Sequence, residues 1–181
     1  MNALERVTVA LRDREPSILE PQGKHAAVAL MLREREGLEV FVIKRADRVG
    51  DPWSGHMALP GGRREPTDKD VYDTARRETL EEVGVDLSGG ELLGRLDDMG
   101  PRSAGRQFVV SSFVVALGAE PGRIDSNEVA EAFWVPVEKL VEEDVEIADF
   151  PGNWPAFAYK ERYVIWGLTH RILMQLWTLI S

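Results

Sequence analysis

Apolar residues along this chain fall into runs of two periods, separated by turn-rich stretches. Residues 2 to 13 suit a short helix, stopped by Pro16. "HAAVALMLRE" (25 to 34) and "LEVFVIKR" (38 to 45) are strand-like runs around a short polar turn at Gly37, which predicts a β-hairpin. Residues 46 to 68 are dense in Gly and Pro and read as a long loop. Val71, Ala75 and Leu80 then recur at near-helical spacing and predict a helix from about Asp70 to Val83. Thr67 or Asp68 is placed to cap it, and Gly84 to end it in the left-handed conformation. Strand-like runs follow at 91 to 99, 107 to 117 and 131 to 137. "VPVEKLVEED" reads as a short helix beginning near Pro136, and 158 to 165 as a further strand. Residues 166 to 180 close the chain as a helix with an apolar stripe of Ile172, Leu173, Leu176 and Ile180. Strands in the middle with helices flanking them predict an α+β fold, a mixed sheet sandwiched by helices. Without repeats or long linkers, 181 residues are expected to form one domain.

Charge sharpens the picture. Lys and Arg number 22 against 31 Asp and Glu, a formal net charge of −9. Such a surface does not attract nucleic-acid polymers, and it repels small anions unless bound cations reverse the local sign. With no cysteine there is no disulfide framework, thiolate metal site or thiol nucleophile. The charged N-terminal stretch does not resemble a signal peptide. "YVIWGLTHRILMQLWTLI" is interrupted by His170, Arg171 and Gln175 and does not suit a membrane span. A cytoplasmic protein without membrane contact is the expectation.

The stretch "RRETLEEVG" (76 to 84) conflicts with helix physics. Glu78, Glu81 and Glu82 share one face, where like charges repel by about 0.2–0.5 kcal/mol per pair. They also lie at the negative end of the helix dipole. An acidic solvated face is the bland explanation. A divalent cation is the functional one, because Mg²⁺ prefers carboxylate oxygens and shares substrate phosphates. Upstream, "LPGGRREP" (59 to 66) adds paired glycines, Gly61 and Gly62, whose backbone a ligand can approach closely.

Together these residues resemble the signature of the Nudix hydrolases: Gly, five residues, Glu, seven residues, Arg-Glu-bulky, any, Glu-Glu, any, Gly-bulky. Gly62, Arg77, Glu78, Glu81, Glu82, Gly84 and Val85 match, giving a box of about 62 to 85. Asp68 stands where the pattern has Glu, eight residues separate it from Arg77, and Thr79 replaces the usual aliphatic residue. Asp and a longer spacing are similar to the coenzyme A pyrophosphatase-like branch. So are "GHMALPGG" (55 to 62), with Leu59 for the branch's Phe, and the late segment "WPAFAYKERYVIWGLTHRIL". The branch's upstream Arg is absent; Asp51 occupies its position.

The resemblance implies a Nudix α/β/α sandwich with the box as loop–helix–loop. It implies Mg²⁺- or Mn²⁺-dependent hydrolysis of the diphosphate bond in a nucleoside diphosphate linked to a further group. Coenzyme A or its derivatives is the lead substrate; ADP-ribose, NADH and dinucleoside polyphosphates are the alternatives. A module that binds a nucleotide without cleaving it is the alternative of another class. By the same resemblance Glu78, Glu82 and Glu81 are metal ligands, with the Gly62 carbonyl as an additional one. Arg77 orients Glu78 or forms an i,i+4 salt bridge to Glu81. A later loop offers Glu128 and Glu131 as general base, and Glu128 is the choice. Arg45, Arg48 and the Gly61 backbone are substrate-binding candidates, each with a surface or structural alternative. His56 and Trp53, close to the glycine loop, are expected to pack it rather than bind. Pro101 falls about one residue from a proline of the ADP-ribose branch. A homodimer contact through the aromatic C-terminal segment is an expectation from the family.

Overall fold

The computed structural model describes all residues, Met1 to Ser181. Helix α1 (Ala3–Arg12) opens with a capping box, in which Asn2 and Glu5 exchange side-chain-to-backbone hydrogen bonds. The predicted hairpin forms as β1 (Lys24–Glu34) and β2 (Leu38–Arg45). The expected loop that follows holds two short strands, β3 (Met57–Ala58) and β4 (Gly61–Arg63), which pair with β2 and β1. Helix α2 (Val71–Val83) comes next, then β5 (Glu91–Arg95), β6 (Phe108–Ala116) and β7 (Val129–Pro136).

These seven strands form one mixed sheet. Its path runs β3-β2-β1-β6-β5, with β4 added to β1 and β7 to β2. The one parallel pairing, β1 with β6, runs from Lys24 opposite Phe108 to Leu32 opposite Ala116. Both faces of β1 are buried in alternation. Ala27, Ala29 and Met31 meet α2 through Ala75 and Val83, while Leu30 and Leu32 join the core on the other side. That second core includes Val7 and Leu11 of α1, and Ile172, Leu173 and Leu176 of α3 (Gly167–Ile180). Helices on both faces of a mixed sheet match the expected sandwich.

Four local expectations needed correction. Asp70, not Thr67 or Asp68, caps α2 by accepting from the Asp73 amide. Leu80 faces solvent at 52% exposure, because the core face set by Ala75 continues through Thr79 and Val83. Thr79 therefore occupies the inward position. The segment after Pro136 makes one 3₁₀ turn (Val137–Lys139) and then a strand, β8 (Val141–Ile147). The strand expected at 158 to 165 is a hairpin, β9 (Phe150–Tyr159) and β10 (Tyr163–Trp166), turning at Lys160 and Glu161, both at φ 53°. β8, β9 and β10 make a second, antiparallel sheet. Its acidic exposed strand, "VEEDVEI", hid its two-residue period behind charge.

Candidate active site

The site is built where α2 crosses the glycine strand. β4 lies against β1, with Gly62 opposite Ala27 and Gly61 opposite Val28. A Cβ on Gly61 would stand 2.2 Å from the Ala27 carbonyl oxygen, and one on Gly62 would stand 2.4 Å from Cδ of Glu78. Paired glycines are thus required: the backbone leaves room for a carboxylate directly on it. Glu78, with a side chain 18% exposed, occupies that room.

One turn on, the half-buried Glu82 carboxyl reaches the Gly61 amide, which donates to it at 3.4 Å. That long bond is its one hydrogen bond. Burial, aided by the charge of Glu78, pushes its pKa up to about 8. Burial also raises Glu78, against the opposing pull of Arg77. Glu78 has one cationic partner, Arg77 at 3.0 Å, and Glu82 forms no ion pair. Together with the close-lying Gly61–Gly62 backbone they fit a hard divalent cation. Glu81 is set apart from them. Its side chain is 58% exposed and paired with Arg77 at 3.3 Å, and no three acidic or imidazole groups converge as a ready-made cage. A cation held by Glu78 and Glu82 would complete its shell with backbone oxygen, water or substrate.

Arg77 is the hub behind this pair. It donates to Asp68 at 2.8 and 3.1 Å, to Glu78 at 3.0 Å, to Glu81 at 3.3 Å and to the Arg63 carbonyl at 3.0 Å. Orientation of Glu78 and the salt bridge to Glu81 therefore coexist. Asp68 is the anchor, its side chain 1% exposed. It also accepts from the Thr74 hydroxyl and the Glu65 amide. Hydrogen bonds from Arg77 hold its carboxyl far below the usual carboxylate range, and hydrogen bonding to Asp68 correspondingly raises the guanidinium. Asp68, expected from sequence as a candidate helix cap and a departure from a pattern, is the residue that fixes Arg77. Its contact with Arg77, nine residues on and inside α2, leaves no periodic signal.

The loop before β7 docks on the end of α2. Gly122 and Asp125 donate their amides to the carbonyls of Val83 and Glu82, both at 2.9 Å. Gly84, left-handed at φ 68°, passes so close that a Cβ would stand 2.5 Å from the Arg123 nitrogen. This docking brings Glu128 into electrostatic reach of Glu82. Glu128 pairs with Arg48 at 2.5 Å, while Arg45 pairs with Asp51 at 3.0 Å. The alternative base, Glu131, is held by Arg162 at 2.6 Å and by the Tyr163 hydroxyl at 2.5 Å, on the side of β7 that meets the second sheet. Neither ion pair of the loop, Arg48 with Glu128 nor Arg45 with Asp51, was foreseen as a pair.

Comparison with known proteins gives the family of this chain. The NUDIX domain family matches residues 23–154. A protein of Schizosaccharomyces pombe is 46% identical over 108 residues, covering 56% of this chain and 33% of that protein. The Nudix hydrolase NudL of Photorhabdus laumondii is 31% identical over 169 residues, 89% of this chain and 87% of that protein. This chain therefore spans a third of the first relative and most of the second. A crystal structure of a MutT/nudix family protein from Enterococcus faecalis superposes with a TM-score of 0.58 at 20% identity, over 98% of this chain and 69% of that one, and shares its fold. The chain belongs to the Nudix family.

Proposed function

We propose that this protein hydrolyses the diphosphate bridge of a nucleoside diphosphate linked to a second group, using Mg²⁺ or Mn²⁺, with coenzyme A or its acyl or oxidised forms as lead substrate. The observation that carries the reading is Glu82, a half-buried carboxyl beside Glu78 with one long hydrogen bond from the glycine strand. The bound cation would neutralise the diphosphate and acidify the attacking water. The residues do the rest. Gly61 and Gly62 let the phosphates approach the backbone. Arg77 holds Glu78 in place, and Asp68 holds Arg77. Water oxygen bonds to phosphorus as the bridging P–O bond breaks, and the water's proton passes to a carboxylate. Coenzyme A would yield 3′,5′-ADP and 4′-phosphopantetheine.

Glu128 suits the base. In the free protein its carboxylate is paired with Arg48. Arg48 turning to a substrate phosphate would release it, coupling substrate entry to base activation. Glu128→Gln is expected to lower kcat by about 10²–10⁴-fold with KM little changed. Arg48→Ala is expected to raise KM as well. Steady-state kinetics at saturating Mg²⁺ check both; an unaltered kcat in Glu128→Gln removes Glu128 from the chemistry.

Support for the coenzyme A branch comes from two stretches that carry the resemblance and lie in contact. The ring of His56, in "GHMALPGG", is 5.4 Å from that of Trp166, in "IWGLT". Asp51 favours another diphosphate substrate, since it stands where the branch has Arg and is paired to Arg45. A panel decides: coenzyme A, acetyl-coenzyme A, ADP-ribose, NADH and diadenosine polyphosphates at about pH 8, products separated by ion exchange. Metal-dependent release of 3′,5′-ADP from coenzyme A is expected. Cleavage of another compound alone would remove the branch and keep the chemistry. No cleavage of any would move the protein to the nucleotide-binding alternative.

A further inference from the structure

The proposed chemistry leaves unused an open cavity of about 400 Å³ beside the glycine strand. Lys24 and His25, where β1 begins, line one side; Arg63, Arg64 and Glu65, where β4 ends, line the other. Both walls have fixed backbones. Arg63 pairs with Ala26 in the sheet, and the Arg64 amide donates to the His25 carbonyl at 2.8 Å. Gly23 lies so close to the turn before β6 that a Cβ would stand 2.5 Å from the Gln107 carbonyl oxygen. The cavity adjoins the Glu78–Glu82 centre, since Arg63 follows Gly62 and its carbonyl accepts from Arg77 at 3.0 Å. At about 3.3 Å per strand residue, Arg64 stands roughly 7 Å beyond Gly62.

The side chains here offer hydrogen-bond donors. Lys24, Arg63 and Arg64 are exposed, and none of the three forms an ion pair. Glu65 is the one carboxylate, and its cation is Arg77 at 3.8 Å. His25 is held from behind. Its Nε2 meets the Ser111 hydroxyl at 2.8 Å, and that fully buried hydroxyl accepts from Arg95 at 2.8 Å. Arg95 is fixed in turn by the buried Asp98 at 2.8 Å. With a guanidinium on one lone pair, the serine proton goes to His25 Nε2, which assigns the ring hydrogen to Nδ1. Burial lowers the His25 pKa, in keeping with a neutral ring. Nδ1 bonds no protein atom and is not sealed from solvent, so a residue lining the cavity keeps a free donor. Carboxylates are abundant on a chain of net charge −9, yet these cations have none to themselves. Three cations around one concavity repel one another until an anion joins them.

We propose that this cavity receives a phosphomonoester of the substrate, a dianionic group separate from the diphosphate at Glu78 and Glu82. Lys24 and Arg64 supply charge-assisted hydrogen bonds from opposite walls, Arg63 adds charge, and His25 Nδ1 adds a neutral donor. The assignment rests on the reading that the substrate is a nucleotide-derived diphosphate, and it narrows that reading. Coenzyme A carries such a group on its ribose; ADP-ribose, NADH and diadenosine polyphosphates lack one. Free inorganic phosphate shares the chemistry, and the test separates the two sources.

The test compares kcat/KM at saturating Mg²⁺ for coenzyme A and 3′-dephospho-coenzyme A, which differ only in this phosphate. Coenzyme A is expected to be favoured at least about tenfold, and the ratio is expected to fall to about one in the double variant Lys24→Ala, Arg64→Ala. Both side chains are exposed, and circular dichroism checks the fold of the variant. A ratio near one in the unaltered protein, with inorganic phosphate binding that the double variant weakens at least about tenfold by calorimetry, assigns the cavity to free phosphate. A ratio near one without such binding overturns the proposal, and so does a preference for coenzyme A that the double variant retains. Binding is read apart from turnover: 3′,5′-ADP is expected to bind the unaltered protein at least about tenfold more tightly than AMP. That preference without turnover of any diphosphate would remove the hydrolytic reading and keep the cavity. Equal turnover of both coenzymes, with neither the 3′,5′-ADP preference nor phosphate binding, would do the reverse.

Discussion

Glu82→Gln is expected to lower kcat by at least about a thousandfold and, in metal-free protein at pH 8, to raise the melting temperature. Both effects come from one carboxyl. Glu82 is half-buried beside Glu78 with a single 3.4 Å hydrogen bond, an arrangement that favours either a proton or a cation. Gln supplies neither cation affinity nor charge, so transition-state stabilisation at the diphosphate goes with it. Without metal the same change is a relief. The folded protein keeps the Glu82 proton up to about pH 8, whereas the unfolded chain releases it near 4.5. Between those values the folded state binds more protons, so stability falls as pH rises. The variant lacks that decline. Calorimetry from pH 5 to 8.5 with EDTA is expected to show a falling melting temperature for the unaltered protein and a flatter curve for Glu82→Gln. Adding Mn²⁺ is expected to reverse the order of stability at pH 8. A variant that loses activity by unfolding would count against the assignment.

Asp68→Ala is expected to be the most damaging single change to stability near the site. It strips a bidentate partner from Arg77 and leaves the Thr74 hydroxyl and Glu65 amide without their acceptor. Breaking a buried pair by removing one partner costs about 3–5 kcal/mol. Arg77 retains 21% side-chain exposure and its bonds to Glu78 and Glu81, so about 2–3 kcal/mol is expected. At roughly 2–4 °C per kcal/mol for a chain of this size, the melting temperature falls by about 4–12 °C. Catalysis suffers too, since Arg77 no longer holds Glu78 from a fixed side. The pH sign is opposite to that of Glu82. The Asp68 carboxyl is depressed below its usual 3.8, so its stabilisation is full above that value and lost as pH falls below it. Asp68→Ala is therefore expected to flatten the acid limb of the stability curve below about pH 4, as followed by calorimetry. A change of under about 0.5 kcal/mol would mean that the pair is merely peripheral.

What could be read in advance divides by the range of the contacts involved. The β1–β2 hairpin, α2 and its Gly84 cap, and α3 were legible because period and capping act within a few residues. The carboxylate cluster was legible because it breaks a local rule. Its division was not: Glu78 and Glu82 turn to the glycine strand while Glu81 turns to solvent, which depends on how α2 lies on β4. Leu80 misled because its hydrophobicity outweighed its register, one position past the inward Thr79. β8 misled because charged residues fill a strand whose outer face is solvated. Asp68 with Arg77 joins the loop before α2 to the middle of that helix, and Arg48 with Glu128 and His56 with Trp166 join distant segments; no periodicity in the chain announces these pairs.

The proposed hydrolysis depends on a divalent cation held by the Glu78–Glu82 turn over Gly61 and Gly62. Mn²⁺ binding followed by electron paramagnetic resonance tests it most directly, on the unaltered protein, Glu82→Gln and Glu131→Gln at one pH. Saturable binding is expected in the unaltered protein and in Glu131→Gln, and at least about tenfold weaker binding in Glu82→Gln. Equal Mn²⁺ affinity in all three would contradict it.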